Sequence, residues 1–98
     1  MRMMMKVQIP VAAGNAGISE GKLPKIVQET MERLKPETAY FMAEDGVRTA
    51  YFFFDMVDSS QIPVAAEPFF QHLDACVGFR PVMTAEDLQK GLAQASAR

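Results

Sequence analysis

The segment Arg48-Thr49-Ala50-Tyr51-Phe52-Phe53-Phe54-Asp55-Met56 constrains the fold most, because it reads as a β-strand that is apolar on both faces. Successive residues of a strand alternate between faces, so Tyr51, Phe53 and Asp55 point to one side and Ala50, Phe52, Phe54 and Met56 to the other. Each side needs cover. A chain of 98 residues is enough for a single domain over 1–98, with helices on one face of a small sheet. The second apolar face therefore implies a partner chain, a stacked ligand, or both.

The rest of the chain supplies the sheet and its helices. Met3, Met5, Val7 and Ile9 alternate with Met4, Lys6, Gln8 and Pro10, the period-two pattern of a first strand. Lys6 and Gln8 also break any export signal there. Ala12 to Gly17, with Gly14 and Gly17 flanking Asn15, reads as a loop. From Leu23 the apolar spacing becomes helical through Ile26, Val27, Thr30, Met31 and Leu34, with Pro24 in the first turn and Pro36 as the stop.

Thr38 to Glu44 and Val47 to Met56 are joined at Asp45-Gly46, a pair that tolerates positive φ and so predicts a β-hairpin. Asp58, Ser59 and Ser60 offer caps for a second helix whose buried face is Ile62, Ala65, Ala66, Phe69 and Leu73. Pro68 lies inside it, withdraws a hydrogen bond from the carbonyl of Val64, and predicts a kink. Cys76 to Met83 reads as a fourth strand that Pro81 forces towards an edge position or its end. Thr84-Ala85-Glu86-Asp87 has the form of a capping box and opens a short terminal helix through Leu88 and Leu92.

The order β-α-β-β-α-β-α predicts an α+β fold, a ferredoxin-like β-α-β-β-α-β sandwich with sheet order 4-1-3-2 and a short C-terminal helix. Both main helices cover one face and the other stays open. The element order, Asp45-Gly46 and the two-faced third strand resemble the ferredoxin-like proteins that pair sheet to sheet, the dimeric α+β barrel superfamily. Lys6-Val7-Gln8-Ile9-Pro10-Val11, Ala43-Glu44-Asp45-Gly46 and Pro81 to Leu88 resemble small bacterial members without an assigned activity. The resemblance implies a homodimer. It brings no catalytic signature with it.

Several functions are disfavoured by composition. The net charge is −2, with lysine and arginine scattered, which argues against a nucleic-acid or anionic-membrane surface. Tyr51 and Phe53 occupy the positions where an RNA-recognition domain stacks bases, but the first strand has Gln8 instead of an aromatic partner and Thr49 replaces the expected glycine. Val77-Gly78-Phe79-Arg80 resembles the phosphate cradle of acylphosphatases, yet lies in the fourth strand and not after the first. Cys76 is the lone cysteine, so no disulfide framework forms, a reducing cytoplasmic setting is expected, and a small buried thiol is the simplest role. One histidine and one cysteine also fall short of a closed metal site, and neither metal nor cofactor is expected.

The candidate site is the open face, where Lys6, Gln8, Tyr40, Tyr51, Asp55 and Arg80 set donors, acceptors and charges among aromatic walls. That composition suits a small organic ligand. It equally suits residues that pair with each other across a dimer interface, Lys6 or Arg80 with Asp55, and fix its register. Asn15 could close the mouth of a cavity, although turn chemistry alone explains it. His72 flanks the buried stripe of the second helix, where a hydrogen-bonded structural role is expected over general-base chemistry. The sequence supports a small-molecule-binding protein, whether or not it is an enzyme, and a non-enzymatic effector-binding or dimerisation module as the alternative.

Overall fold

The computed structural model describes residues 1–97. Strand β1 spans Arg2–Ile9, helices α1 and α2 span Val11–Ser19 and Lys22–Leu34, and the hairpin strands β2 and β3 span Thr38–Glu44 and Val47–Asp55. Helix α3 (Gln61–Leu73), strand β4 (Cys76–Pro81) and helix α4 (Ala85–Ser96) complete the chain. The strands form one antiparallel sheet in the order β2-β3-β1-β4, so β1 and β3 are central and β4 is an edge ending at Pro81. Helices α1, α2 and α3 pack on one another, α1 against β3 and α3 against β4.

The core lies between sheet and helices. Met3, Met5, Val7 and Ile9 of β1 and Ala50, Phe52 and Phe54 of β3 are buried against Ile26 of α2 and Ala65, Phe69 and Leu73 of α3. This is the side assignment that strand alternation predicts. Phe52 sits at its centre, edge-on to Phe41 at 5.8 Å and tilted against Phe69 at 6.3 Å between ring centroids. The hairpin turns at Asp45 and Gly46, with φ of 54° and 79°, and only glycine meets the second value without a Cβ penalty.

The helical layer departs from expectation at Ala12 to Gly17, which is helix and not loop. Two glycines argue against a helix by propensity, but here they lie three apart on one face and are its only buried residues. A Cβ on Gly17 would stand 2.6 Å from Leu73 Cδ2, and one on Gly14 would meet the side chain of Arg48. Close approach, not turn chemistry, explains them. The element order is accordingly β-α-α-β-β-α-β-α.

Helix α3 continues through Pro68. The carbonyl that Pro68 leaves without its helical donor belongs to Val64, and Arg33 Nη1, at the end of α2, donates to it at 3.3 Å. A tertiary contact thus replaces the missing helical one. Ile62, expected on the buried face, is exposed. None of the expected caps acts through a side chain at Ser60; Asp58 instead accepts from the Ser60 N–H at 3.3 Å in a local turn.

Helix α4 does form the reciprocal capping box, with Thr84 Oγ1 accepting from the Asp87 N–H and Asp87 Oδ2 from the Thr84 N–H, each at 3.1 Å. It buries no residue. Among the described residues no helix is long and apolar enough to cross a membrane.

Candidate functional site

The face of the sheet that the helices leave bare is built from alternate residues of every strand. The register aligns Thr38, Phe53, Met4 and Arg80 in one row across it, Tyr40, Tyr51, Lys6 and Gly78 in the next, and Met42, Thr49, Gln8 and Cys76 in a third. Its centre is half-buried and its margins are exposed.

A closed polar cluster stands at that centre. Lys6 Nζ lies 2.6 Å from Glu44 Oε2, Tyr51 donates its hydroxyl to Glu44 Oε1 at 2.7 Å, and the Lys6 ammonium sits 5.6 Å from the centroid of the Tyr51 ring. The ammonium therefore meets both a carboxylate and an aromatic face. The Lys6 hydrogen bond, followed by that from Tyr51, holds the Glu44 carboxyl below its ordinary range, and Glu44, followed by Tyr51, raises Lys6. Glu44 was not among the sequence candidates. It ends β2 beside the turn, on the face that strand alternation gives Tyr40 and Met42, and its side chain reaches Lys6 and Tyr51 from there.

The pH dependence follows from the directions of these shifts. Glu44 stabilises the fold above its ordinary pKa of 4.5 and loses that contribution as pH falls through its lower folded value; Lys6 contributes below 10.5 and loses it as pH rises through its higher one. Glu37, Asp55 and Asp87 are also lowered, by Arg2, by the N-terminal ammonium and by the Thr84 backbone respectively, so they add to the acid-side loss. Thermal melts at about pH 7 and about pH 3 should show a smaller acid-induced drop in Tm for Glu44→Gln than for the wild type. An equal drop in both would remove Glu44 from the stabilising network.

Two other candidates flank the cluster on the open face. Gln8 lies one row from Lys6 on β1, and Tyr40 stands directly opposite Tyr51 on the exposed edge strand β2. The remaining four do not join it. Asp55 pairs with neither Lys6 nor Arg80 but with the N-terminal ammonium of Met1 at 2.8 Å. Arg80 is exposed on β4, opposite Met4.

Asn15 lies on the helical side, in α1, and accepts from Arg48 Nη2 at 3.1 Å, so it orients an arginine. His72 is exposed in a cleft of about 470 Å³ between α2 and α3, with Lys25, Glu29 and Glu67 nearby. Cys76 is exposed on the open face and is not a buried thiol. Its edge-strand position, with no helix over that side, explains the difference. Among the described residues no three His, Cys, Asp or Glu side chains gather in metal-binding geometry.

A second concavity, of about 200 Å³, lies on the helical side between α2 and the hairpin. It is lined by Leu23 and Val27 of α2, Phe41 of β2, Ile9 and Phe69 from the core, and the start of β3 at Arg48 and Ala50. Fold and face together define a small α+β protein with one uncovered sheet surface built around an ion pair. Comparison of the chain with protein-family models, curated proteins and solved structures finds no match.

Proposed function

We propose that two copies of this chain stack through their open sheet faces as a dimeric α+β barrel of the ferredoxin-like superfamily and retain a small organic molecule beside Lys6, Glu44 and Tyr51. One observation carries the reading. The uncovered face combines half-buried apolar side chains, Met4 and Phe53 among them, with a mutually satisfied ion pair, a mixture suited neither to bulk water nor to a dry core. Tyr51 and Tyr40 supply flat walls, and Gln8 supplies both a donor and an acceptor. The lone cysteine suits a reducing, cytoplasmic setting.

The cluster favours retention over turnover. Glu44 is held ionised and Lys6 protonated by each other, so neither is set as a proton donor or acceptor near neutral pH. The same closure supports a second reading, an assembly module in which the cluster fixes the register of the stacked faces.

Native mass spectrometry of gently desalted protein separates the readings. The expected result is a dimer carrying extra mass, lost on Tyr51→Ala with little change in Tm. A dimer without added mass would favour the assembly module. A monomer over a range of concentrations would end the proposal.

A further inference from the structure

Helix α4 has a built start and no place to rest. Its capping box is complete, yet none of its residues is buried; Leu88 is 46 % and Leu92 59 % exposed, one turn apart, and Met83 before them is 69 % exposed. The molecule measures 58 × 27 × 18 Å, with a radius of gyration of 15.8 Å against about 13 Å for a compact chain of this length. A helix of 12 residues without tertiary cover is marginal in water, since propagation barely repays nucleation below about 12 to 15 residues. Something outside the chain must complete it.

The same chain carries a second uncovered apolar surface, the concavity between α2 and β2, where Phe41 is exposed beside Leu23 and Val27. A chain's own α4 falls short of it. The helix follows β4 at one edge of the sheet, at the end where Pro81 opposes Met3, whereas the concavity lies under β2 at the opposite edge, at the end marked by Ile9. Six residues of strand rise and three strand spacings separate the two by about 20 Å along the strands and about 14 Å across them. The connector Val82-Met83-Thr84 reaches about 10 Å fully extended, and four helical residues to Leu88 add about 6 Å.

We infer that α4 is an exchanged arm, whose Leu88 and Leu92 seat in the α2–β2 concavity of a second copy of this chain. The two surfaces are apolar, unpartnered and separated within one molecule, and paired leucines entering a concave apolar groove is an established mode of helix recognition. Reciprocal exchange between two copies closes the assembly and leaves no arm free. The inference goes beyond face-to-face stacking, because it assigns a second contact away from the open face.

Cross-linking tests it directly. In a Cys76→Ser background, chains bearing Leu88→Cys are mixed with mass-tagged chains bearing Phe41→Cys and mildly oxidised; disulfide-linked heterodimers are the expected product. Links between two Leu88→Cys chains alone, links within one doubly substituted chain, or no links would each overturn the arm assignment.

Sedimentation of Leu88→Asp/Leu92→Asp gives a second readout. Self-association should weaken by on the order of 100-fold, and the thermal melt of the body should hold, since neither leucine is buried within its own chain. Unchanged association would overturn the arm and leave the stacked faces standing. A wild-type monomer would overturn both.

Discussion

Phe52→Ala is expected to leave the chain barely folded at ordinary temperatures. Phe52 is fully buried in the central strand β3 and pairs in register with the equally buried Met5. Its ring meets Phe41 edge-on and Phe69 at a tilt, so it joins the hairpin to α3. Truncating a buried phenylalanine costs about 3 to 5 kcal/mol, against a total stability of about 5 to 15 kcal/mol for a whole domain. For a chain of this size that loss lowers Tm by roughly 12 °C or more.

Circular dichroism melts of the wild type, Phe52→Leu and Phe52→Ala give the comparison. Phe52→Leu, which keeps most of the volume, should lie much nearer the wild type. A drop of less than about 5 °C for Phe52→Ala would mean that the helix-facing side of β3 is not where the fold draws its stability.

Lys6→Glu is expected to have the largest effect on the open face. The substitution places a second carboxylate where an ammonium now stands 2.6 Å from Glu44, and Tyr51 has a single hydroxyl proton to share between them. Two carboxylates so close cannot both remain ionised without cost, so one takes up a proton or swings away. If the faces stack, like charges at the centre of each should weaken self-association by on the order of 100-fold.

Three features set this outcome apart from a general loss of folding. Association should recover in part on mild acidification, as one carboxylate is neutralised. It should recover at neutral pH in the double variant Lys6→Glu/Glu44→Lys, which restores the pair with its members exchanged. The thermal melt of the monomeric body should change less than in Phe52→Ala, because the cluster is half-exposed. Sedimentation equilibrium of wild type, single and double variants reads the first two and circular dichroism melts read the third, and association unaffected by Lys6→Glu would show that the cluster lies outside the interface.

Local periodicity made much of this fold legible in the sequence. Alternation in β1 and β3 assigned Met5, Val7, Phe52 and Phe54 to the core side, Asp45-Gly46 marked the turn, and Thr84 with Asp87 marked the start of α4. Non-local geometry was not legible. Gly14 and Gly17 read as loop because the chemistry that permits a turn also permits two elements to touch, and only the positions of Arg48 and Leu73 decide between them. The Arg33 bond to Val64 that accommodates Pro68 joins residues 31 positions apart.

The site was half legible for the same reason. Lys6 and Tyr51 could be placed on one face by alternation alone, but the partner of Lys6 depended on register. Asp55 is held by the N-terminal ammonium at 2.8 Å, and the long side chains of Lys6 and Glu44 meet at 2.6 Å across four residues of strand and an intervening β3. Asn15 and His72 were read from local chemistry on the helical segments, and there they stand, away from the Lys6 cluster.

The two edges of the sheet are unlike, and the difference bears on how the chain behaves when concentrated. The β4 edge is short and ends at a proline, which cannot donate to an incoming strand. The β2 edge, Thr38-Ala39-Tyr40-Phe41-Met42-Ala43, has no charge, proline or glycine within it, and only Glu37 and Glu44 stand guard at its ends. Six such residues with unpaired backbone groups form a template for strand addition and fibril growth. A truncation that removes α4 would uncover Phe41 beside that edge if α4 is the element that covers it in the partner. Shortening the chain to obtain a tidier domain would then exchange a defined assembly for an indefinite one.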